Sequence, residues 1–235
     1  KRAIEEITGK PLEFYQLDAK DTIPVSASIE NIDGVIHFAA LKSVGESIEK
    51  PMEYYTENLE SLLSVIQVAN KKKAKSFIFP SSATVYGGTK ESCVTEETPL
   101  GKPLNPYGHT KILGEKILQS GRHQFKTILL RYFNPVGAHE SANIGELPNG
   151  VPNNLVPYIT QTAAGLREKL TVFGNDYNTK DGTCIRDFIH VMDLAEAHVA
   201  ALNYSEGMSE TVDVFNVGTV KGNTVLELIE TFEKV

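Results

Sequence analysis

Three short, almost wholly apolar runs constrain this chain more than any other feature: residues 34–40 (GVIHFAA), 76–80 (SFIFP) and 126–132 (KTILLRY). Each has the length of a strand, and none alternates apolar with polar residues. Runs of this kind are buried on both faces, which places them in a parallel sheet covered by helices. Helical patterns fall between them. Met52, Tyr55, Leu59, Leu62, Leu63 and Ile66 recur at helical spacing after Pro51, predicting a long helix through Asn70. A second helix is expected over residues 107–120, behind Asn105-Pro106. Strand and helix alternating at this rhythm predict βαβ units and an α/β, doubly wound parallel sheet of Rossmann type.

The two ends of the chain are less regular. Residues 1–7 read as the last turns of a helix stopped at Gly9, and residues 12–17 (LEFYQL) as a strand ending at Asp18. Beyond Phe133 a long loop rich in Gly, Pro and Asn runs to Asn154, followed by a helix to about Leu166. Short strands are expected at 170–173, 185–190 and 212–217, a helix over 193–204, and a final helix capped near Asn223 or Thr224.

Composition removes several classes of function. The net charge of −7 argues against a general nucleic-acid partner. The four lysines between 71 and 75 sit at a predicted helix end, where cations suit the dipole. Cys93 and Cys184 are far apart, which excludes a disulfide framework and favours a reducing compartment. No histidine has a ligand partner at helical or hairpin spacing, so no metal site is expected, and His37, His139 and His190 read as hydrogen-bonded scaffold. No apolar run approaches the ~20 residues of a membrane helix, and the first residues do not resemble a signal peptide. A cytoplasmic protein without a membrane partner is expected.

The chemistry concentrates in two places. Tyr107 and Lys111 are four apart on a predicted helix and share one face. A free phenol titrates near pH ~10, and a neighbouring ammonium would favour the phenolate, making a general acid/base for a hydroxyl proton. Any helix can carry such a pair. One βα unit earlier, Ser81-Ser82-Ala83-Thr84 follows a strand directly, where ligands bind in doubly wound sheets and where turn-forming hydroxyls are also common.

Together these residues resemble the extended short-chain dehydrogenase/reductase superfamily, with its Ser/Thr, Tyr and Lys triad. The blocks VIHFAALKSVGES (35–47), SSATVYG (81–87), NPYGHTK (105–111) and LRYFNPVGAH (130–139) are similar to the UDP-glucose 4-epimerase family in particular. So are PNNLVPYI (152–159), FGNDY (173–177) and RDFIHVMD (186–193), and the resemblance covers essentially the whole chain in order.

That resemblance implies NAD as cofactor, UDP-galactose and UDP-glucose as substrates, and a homodimer when the protein is complete. Tyr107 would take the proton of the sugar's 4-hydroxyl while hydride leaves carbon 4 for NAD, and the keto sugar would turn over and regain the hydride. Ser82 would assist the proton, and Lys111 would hold the nicotinamide ribose and depress the Tyr107 pKa. Asp18, Phe38, Ala39, Ala40, Lys42, Asn58, Ser81 and Tyr132 would join Tyr107 and Lys111 around the cofactor, although Phe38 reads equally as core. Lys42, Asn134, Asn154, Leu170, Thr171, Phe173 and Arg186 would join Ser82 and Tyr107 around the sugar nucleotide. Arg186 has a structural alternative, an ion pair with Asp187 or Asp193. Residues 1–134 would form a partial NAD-binding domain, and residues 135–235 a smaller, interleaved UDP-sugar-binding region.

The chain departs from the family pattern in places. Ala40 stands where glycine is commoner and Pro80 where serine is commoner. The glycine-rich dinucleotide turn and the acidic residue after it are absent. The expectation is an incomplete chain lacking the first strands and a closing C-terminal segment. Alternatives stay open: an epimerase for an N-acetylated or pentose UDP-sugar, an oxidoreductase releasing NADH, or a catalytically incompetent fragment.

Overall fold

The computed structural model describes residues 1–89 and 91–235. Two compact units interleave along the chain: residues 12–132 with 195–217, and residues 1–11 with 133–194 and 218–235. In chain order the helices are α1 (Arg2–Thr8), α2 (Thr22–Ser28), α3 (Val44–Glu49), α4 (Pro51–Lys71), α5 (Pro106–Ser120), α6 (Leu155–Ala163), α7 (Val191–Ser205) and α8 (Val225–Lys234). The strands are β1 (Gly34–Ile36), β2 (Ser76–Ser82), β3 (Lys126–Tyr132), β4 (Asn134–Val136), β5 (Ile185–His190), β6 (Val212–Val217) and β7 (Gly222–Thr224).

The first of these units is built on a parallel sheet in the order β1-β2-β3-β6. Side chains alternate across it. Phe77, Phe79 and Leu129 face Leu62, Ile66 and Ala69 of α4 and Leu118 of α5, forming the main buried cluster. On the other face α7 approaches β1 so closely that a Cβ on Gly34 would lie 3.0 Å from Leu202. The doubly wound arrangement expected from the apolar runs is thus present. Helix α5 begins where its sequence directs: Asn105 caps it, its side chain accepting the Gly108 N–H at 2.7 Å, and Pro106 occupies the first turn. Gly114 lets α5 rest on β2, since a Cβ there would sit 2.5 Å from the Phe79 ring.

Pro80 is tolerated inside β2 because the β1 ladder ends opposite Ile78. Its missing N–H therefore lies past that edge.

In the other unit β4 runs parallel to β5, and β5 antiparallel to β7. Gly9 closes α1 at φ 64°, as expected of a left-handed cap. Thr224 and Glu227 form a reciprocal capping box at the start of α8.

Two predicted strands are corrected. Residues 12–17 and 170–173 carry no strand. A strand exists only as one member of a ladder, and no described residues pair with these segments, so their β propensity has nothing to act on. The β1 run is also shorter than its apolar pattern: it ends at Ile36, His37 is buried, and Phe38, Ala39 and Ala40 are exposed. Helix α3, the 3-10 turn over Ala83–Tyr86, and the short strands β4 and β7 were not foreseen.

Candidate active site

The carboxyl ends of β1, β2 and β3 and the first two turns of α5 bring together His37, Ser82, Tyr107, Lys111 and Tyr132. Ser82 ends β2 and caps the 3-10 turn, its hydroxyl accepting the Thr84 N–H at 3.3 Å. It also lies beside the Tyr107 phenol and favours the ionised form. One helical turn on, the Lys111 ammonium is buried and donates to the Pro80 carbonyl at 2.7 Å. It lies 5.0 Å from the centre of the Phe79 ring and 5.7 Å from that of Tyr107.

Burial dominates the electrostatics. It pushes the Tyr107 phenol above its usual range, with the neighbouring Ser82 hydroxyl working the other way. Burial also pulls Lys111 down to about 8, opposed by the charge of Glu115. The expected depression of Tyr107 by Lys111 is therefore not the leading influence here, because both groups are taken out of water together. Tyr132 is raised as well, by burial and by Tyr107, and its hydroxyl meets Nε2 of the buried His198.

His37 is lowered to about 4 by burial, with Lys111 as the second cause. It stays neutral in the folded chain until about pH 4, whereas an unfolded histidine takes its proton near 6.5. The unfolded state thus binds more protons between these values. Stability is full above about pH 6.5 and falls as the pH drops towards 4, by on the order of 3 kcal/mol. In urea titrations at pH 7 and 4.5, His37→Gln is expected to flatten this acid limb. An equally steep loss in the variant would place the acid sensitivity elsewhere.

The other expected cofactor contacts divide into two groups. Phe38 (63% exposed), Ala39, Ala40 and Lys42 lie on the exposed loop beyond β1. Asp18 is exposed and accepts the Lys20 N–H at 2.9 Å. Asn58 and Ser81 instead have their side chains turned into the protein. Asn58 clamps the β1 loop, accepting the Leu41 N–H at 2.7 Å and donating to the Leu41 carbonyl at 3.0 Å and to Thr110 Oγ1 at 3.1 Å. Ser81 donates to Glu115 at 2.5 Å.

The residues expected to meet the sugar nucleotide beyond Lys42, Ser82 and Tyr107 belong to the other unit. Asn134 ties β4 to β5 by donating to the Asp187 carbonyl at 3.2 Å. Asn154 precedes α6 and donates to Glu146 at 2.6 Å. Leu170, Thr171 and Phe173 lie in the irregular stretch, with Phe173 83% exposed. Arg186 is exposed and donates to the Ile185 carbonyl at 2.8 Å. The Asp187 carboxylate, suggested as its ion partner, accepts instead from the Thr219 N–H and hydroxyl and from the Val220 N–H.

Sequence reasoning missed the groups behind the site. Glu115 is fully buried and Arg131 is 3% exposed. Two signals pointed to them: a carboxylate one turn beyond Lys111 on the same helix face, and an arginine inside an otherwise apolar strand. Among the described residues no group of His, Cys, Asp and Glu could hold a metal ion, and no helix is long and apolar enough to cross a membrane.

The model of the NAD dependent epimerase/dehydratase family matches residues 1–218. The chain is 51% identical to the UDP-glucose 4-epimerase of Bacillus subtilis, over 99% of its own length and 69% of that protein's. The crystal structure of UDP-glucose 4-epimerase from Bifidobacterium longum in complex with NAD+ and UDP superposes with a TM-score of 0.94 at 49% identity, covering 99% of this chain and 70% of that one. The UDP-Glc/GlcNAc 4-epimerase of Campylobacter jejuni gives 0.81 at 39% identity, over 98% and 71%. The family model, the relatives and the solved structures agree, and the chain belongs to the NAD dependent epimerase/dehydratase family, in its UDP-glucose 4-epimerase branch.

Proposed function

We propose that this chain carries the proton-transfer centre of an enzyme that inverts carbon 4 of a UDP-linked hexose, interconverting UDP-galactose and UDP-glucose. The observation that carries the reading is the Tyr107 phenol set beside Ser82, which favours its ionised form, with the buried Lys111 ammonium one turn away. Tyr107 takes the 4-hydroxyl proton and later returns it. Ser82, beside the phenol, relays the proton between Tyr107 and the sugar hydroxyl.

The residues present fit NAD. The buried Lys111 ammonium has three donors and gives one of them to Pro80, which leaves donors for ribose hydroxyls. Beyond β1, Phe38, Ala39 and Ala40 present exposed, mostly small side chains against which a flat group can lie. Lys42, Asp18 and Tyr132 complete the set that would hold the cofactor, with Asn58 and Ser81 fixing the loops that carry it. When bound, NAD supplies the acceptor and donor of hydride at carbon 4. A positive charge at Lys111 offsets part of the cost of forming a buried phenolate at Tyr107.

Asn134, Asn154, Leu170, Thr171, Phe173 and Arg186 are proposed to bind the sugar nucleotide, with Arg186 pairing a phosphate oxygen. On this reading residues 1–134 are mainly the cofactor part and 135–235 mainly the sugar-nucleotide part of a cytoplasmic, homodimeric enzyme. An N-acetylated substrate is the second reading, favoured by the likeness to the Campylobacter jejuni enzyme.

The test is direct. The full chain is incubated with NAD and either UDP-galactose or UDP-N-acetylgalactosamine, and the products are separated by chromatography. Formation of UDP-glucose without net NADH supports the reading, and preferential turnover of the acetylated sugar supports the second. Stoichiometric NADH, or no conversion by chain shown by native mass spectrometry to hold NAD, would overturn both.

A further inference from the structure

Behind the proposed proton-transfer centre lies a second, largely buried array of polar side chains. Glu115 stands one turn beyond Lys111, which stands one turn beyond Tyr107, so α5 presents all three on one face. The Glu115 carboxylate is gripped by Arg131 of β3 through two bonds, Nε to Oε1 at 3.0 Å and Nη2 to Oε2 at 2.7 Å. Oε1 also accepts the Ser81 hydroxyl of β2 at 2.5 Å. Arg131 Nη1 donates to the Tyr86 hydroxyl at 2.9 Å, and that hydroxyl donates to Asn216 Oδ1 of β6 at 2.5 Å.

This array ties one helix to three neighbouring strands at the level of the reacting groups. Ser81 and Ser82 are consecutive in β2 and point to opposite faces. Anchoring Ser81 to Glu115 therefore sets the peptide that aims Ser82 at Tyr107. The residue before Ser81 is Pro80, whose carbonyl receives the Lys111 ammonium. One carboxylate thus fixes α5, which supplies Tyr107 and Lys111, against the end of β2, which supplies Ser82 and the Lys111 acceptor.

The geometry points to Glu115 as a positioning residue for the proton-transfer step, holding Ser82 in register with Tyr107 and keeping a negative charge behind the Lys111 ammonium. Its kinetic consequence rests on the epimerase reading above; its effect on Lys111 does not. The charged and titratable groups facing Lys111 are His37 after β1 and Tyr107 and Glu115 on α5, with Arg131 of β3 behind Glu115. From β2 the Pro80 carbonyl faces it. Of these, Glu115 is the one that favours the charged ammonium.

The experiment uses the full chain with carbon-13 at lysine Cε, the Lys111 resonance being assigned by its loss in Lys111→Arg. In the parent chain this resonance is expected to titrate near 8. In Glu115→Gln the midpoint moves to lower pH, because the charge that favoured the ammonium is gone. In turnover assays kcat falls by about 10- to 100-fold with KM little changed, as expected when reacting groups lose alignment. The alkaline limb of the kcat profile moves to lower pH with Lys111.

Should Glu115→Gln fail to fold, the double variant Glu115→Met/Arg131→Met removes both charges at similar volume. It is expected to show the same slowing and a smaller lysine shift in the same direction, because the Arg131 charge behind Glu115 is removed as well. An unmoved Lys111 titration, or parental kcat in either folded variant, would overturn the assignment. If the parent chain turns over no sugar nucleotide, the epimerase reading fails while the lysine titration still decides the electrostatic part.

Discussion

Tyr107→Phe is expected to reduce turnover by about 10²- to 10⁴-fold, the usual worth of a general acid/base, while the chain still folds and still retains NAD. The substitution is narrow. A phenylalanine keeps the ring that stands 5.7 Å from the Lys111 ammonium and removes only the hydroxyl beside Ser82. Thermal unfolding of the two proteins should agree closely, because a single hydroxyl's hydrogen bonding is worth no more than on the order of 1 kcal/mol. Native mass spectrometry then reports bound NAD, and chromatography of UDP-galactose and UDP-glucose reports the rate. A variant with near-parental turnover would remove Tyr107 as the base. A variant that loses NAD as well would instead make Tyr107 part of the binding surface.

Arg131→Met carries the largest expected effect on stability. Glu115 has no solvent exposure, and its carboxylate depends on two guanidinium bonds. Removing the arginine leaves that carboxylate with only the Ser81 hydroxyl. An uncompensated buried charge of this kind costs about 3–5 kcal/mol, a large share of the roughly 5–15 kcal/mol that hold a typical domain together. Urea unfolding should show a much lower midpoint with an unchanged slope. Adding Glu115→Met to the same protein is expected to recover most of the loss, since a well-packed apolar pair can replace a buried ion pair at little cost. Failure of the second substitution to restore stability would mean that packing around Arg131, and not its charge, supports the sheet.

Both predictions turn on residues whose types were visible in the sequence and whose arrangement was not. The apolar runs at 76–80 and 126–132 became β2 and β3, and the helical spacing after Pro51 became α4, because each pattern is local and has one low-energy reading. Asn105-Pro106 starts α5 for the same reason: cap and first turn are decided within a few residues. Residues 12–17 and 170–173 failed as strands because strand formation is not local; it needs a partner, which no window of sequence contains. Their apolar side chains alone could not say whether a ladder would be available.

The site divides along the same line. By itself the sequence determined the α/β class, the helix and strand that bear Tyr107, Lys111 and Ser82, and, by resemblance, the family. Only the tertiary structure decided that Asn58 and Ser81 turn inward, that burial governs Tyr107 and Lys111, and that Glu115 and Arg131 pair behind them. The physical reason is that hydrogen-bond partners 16 to 34 residues apart, and the loss of water that gives them their strength, exist only once the sheet and its helices have closed on one another.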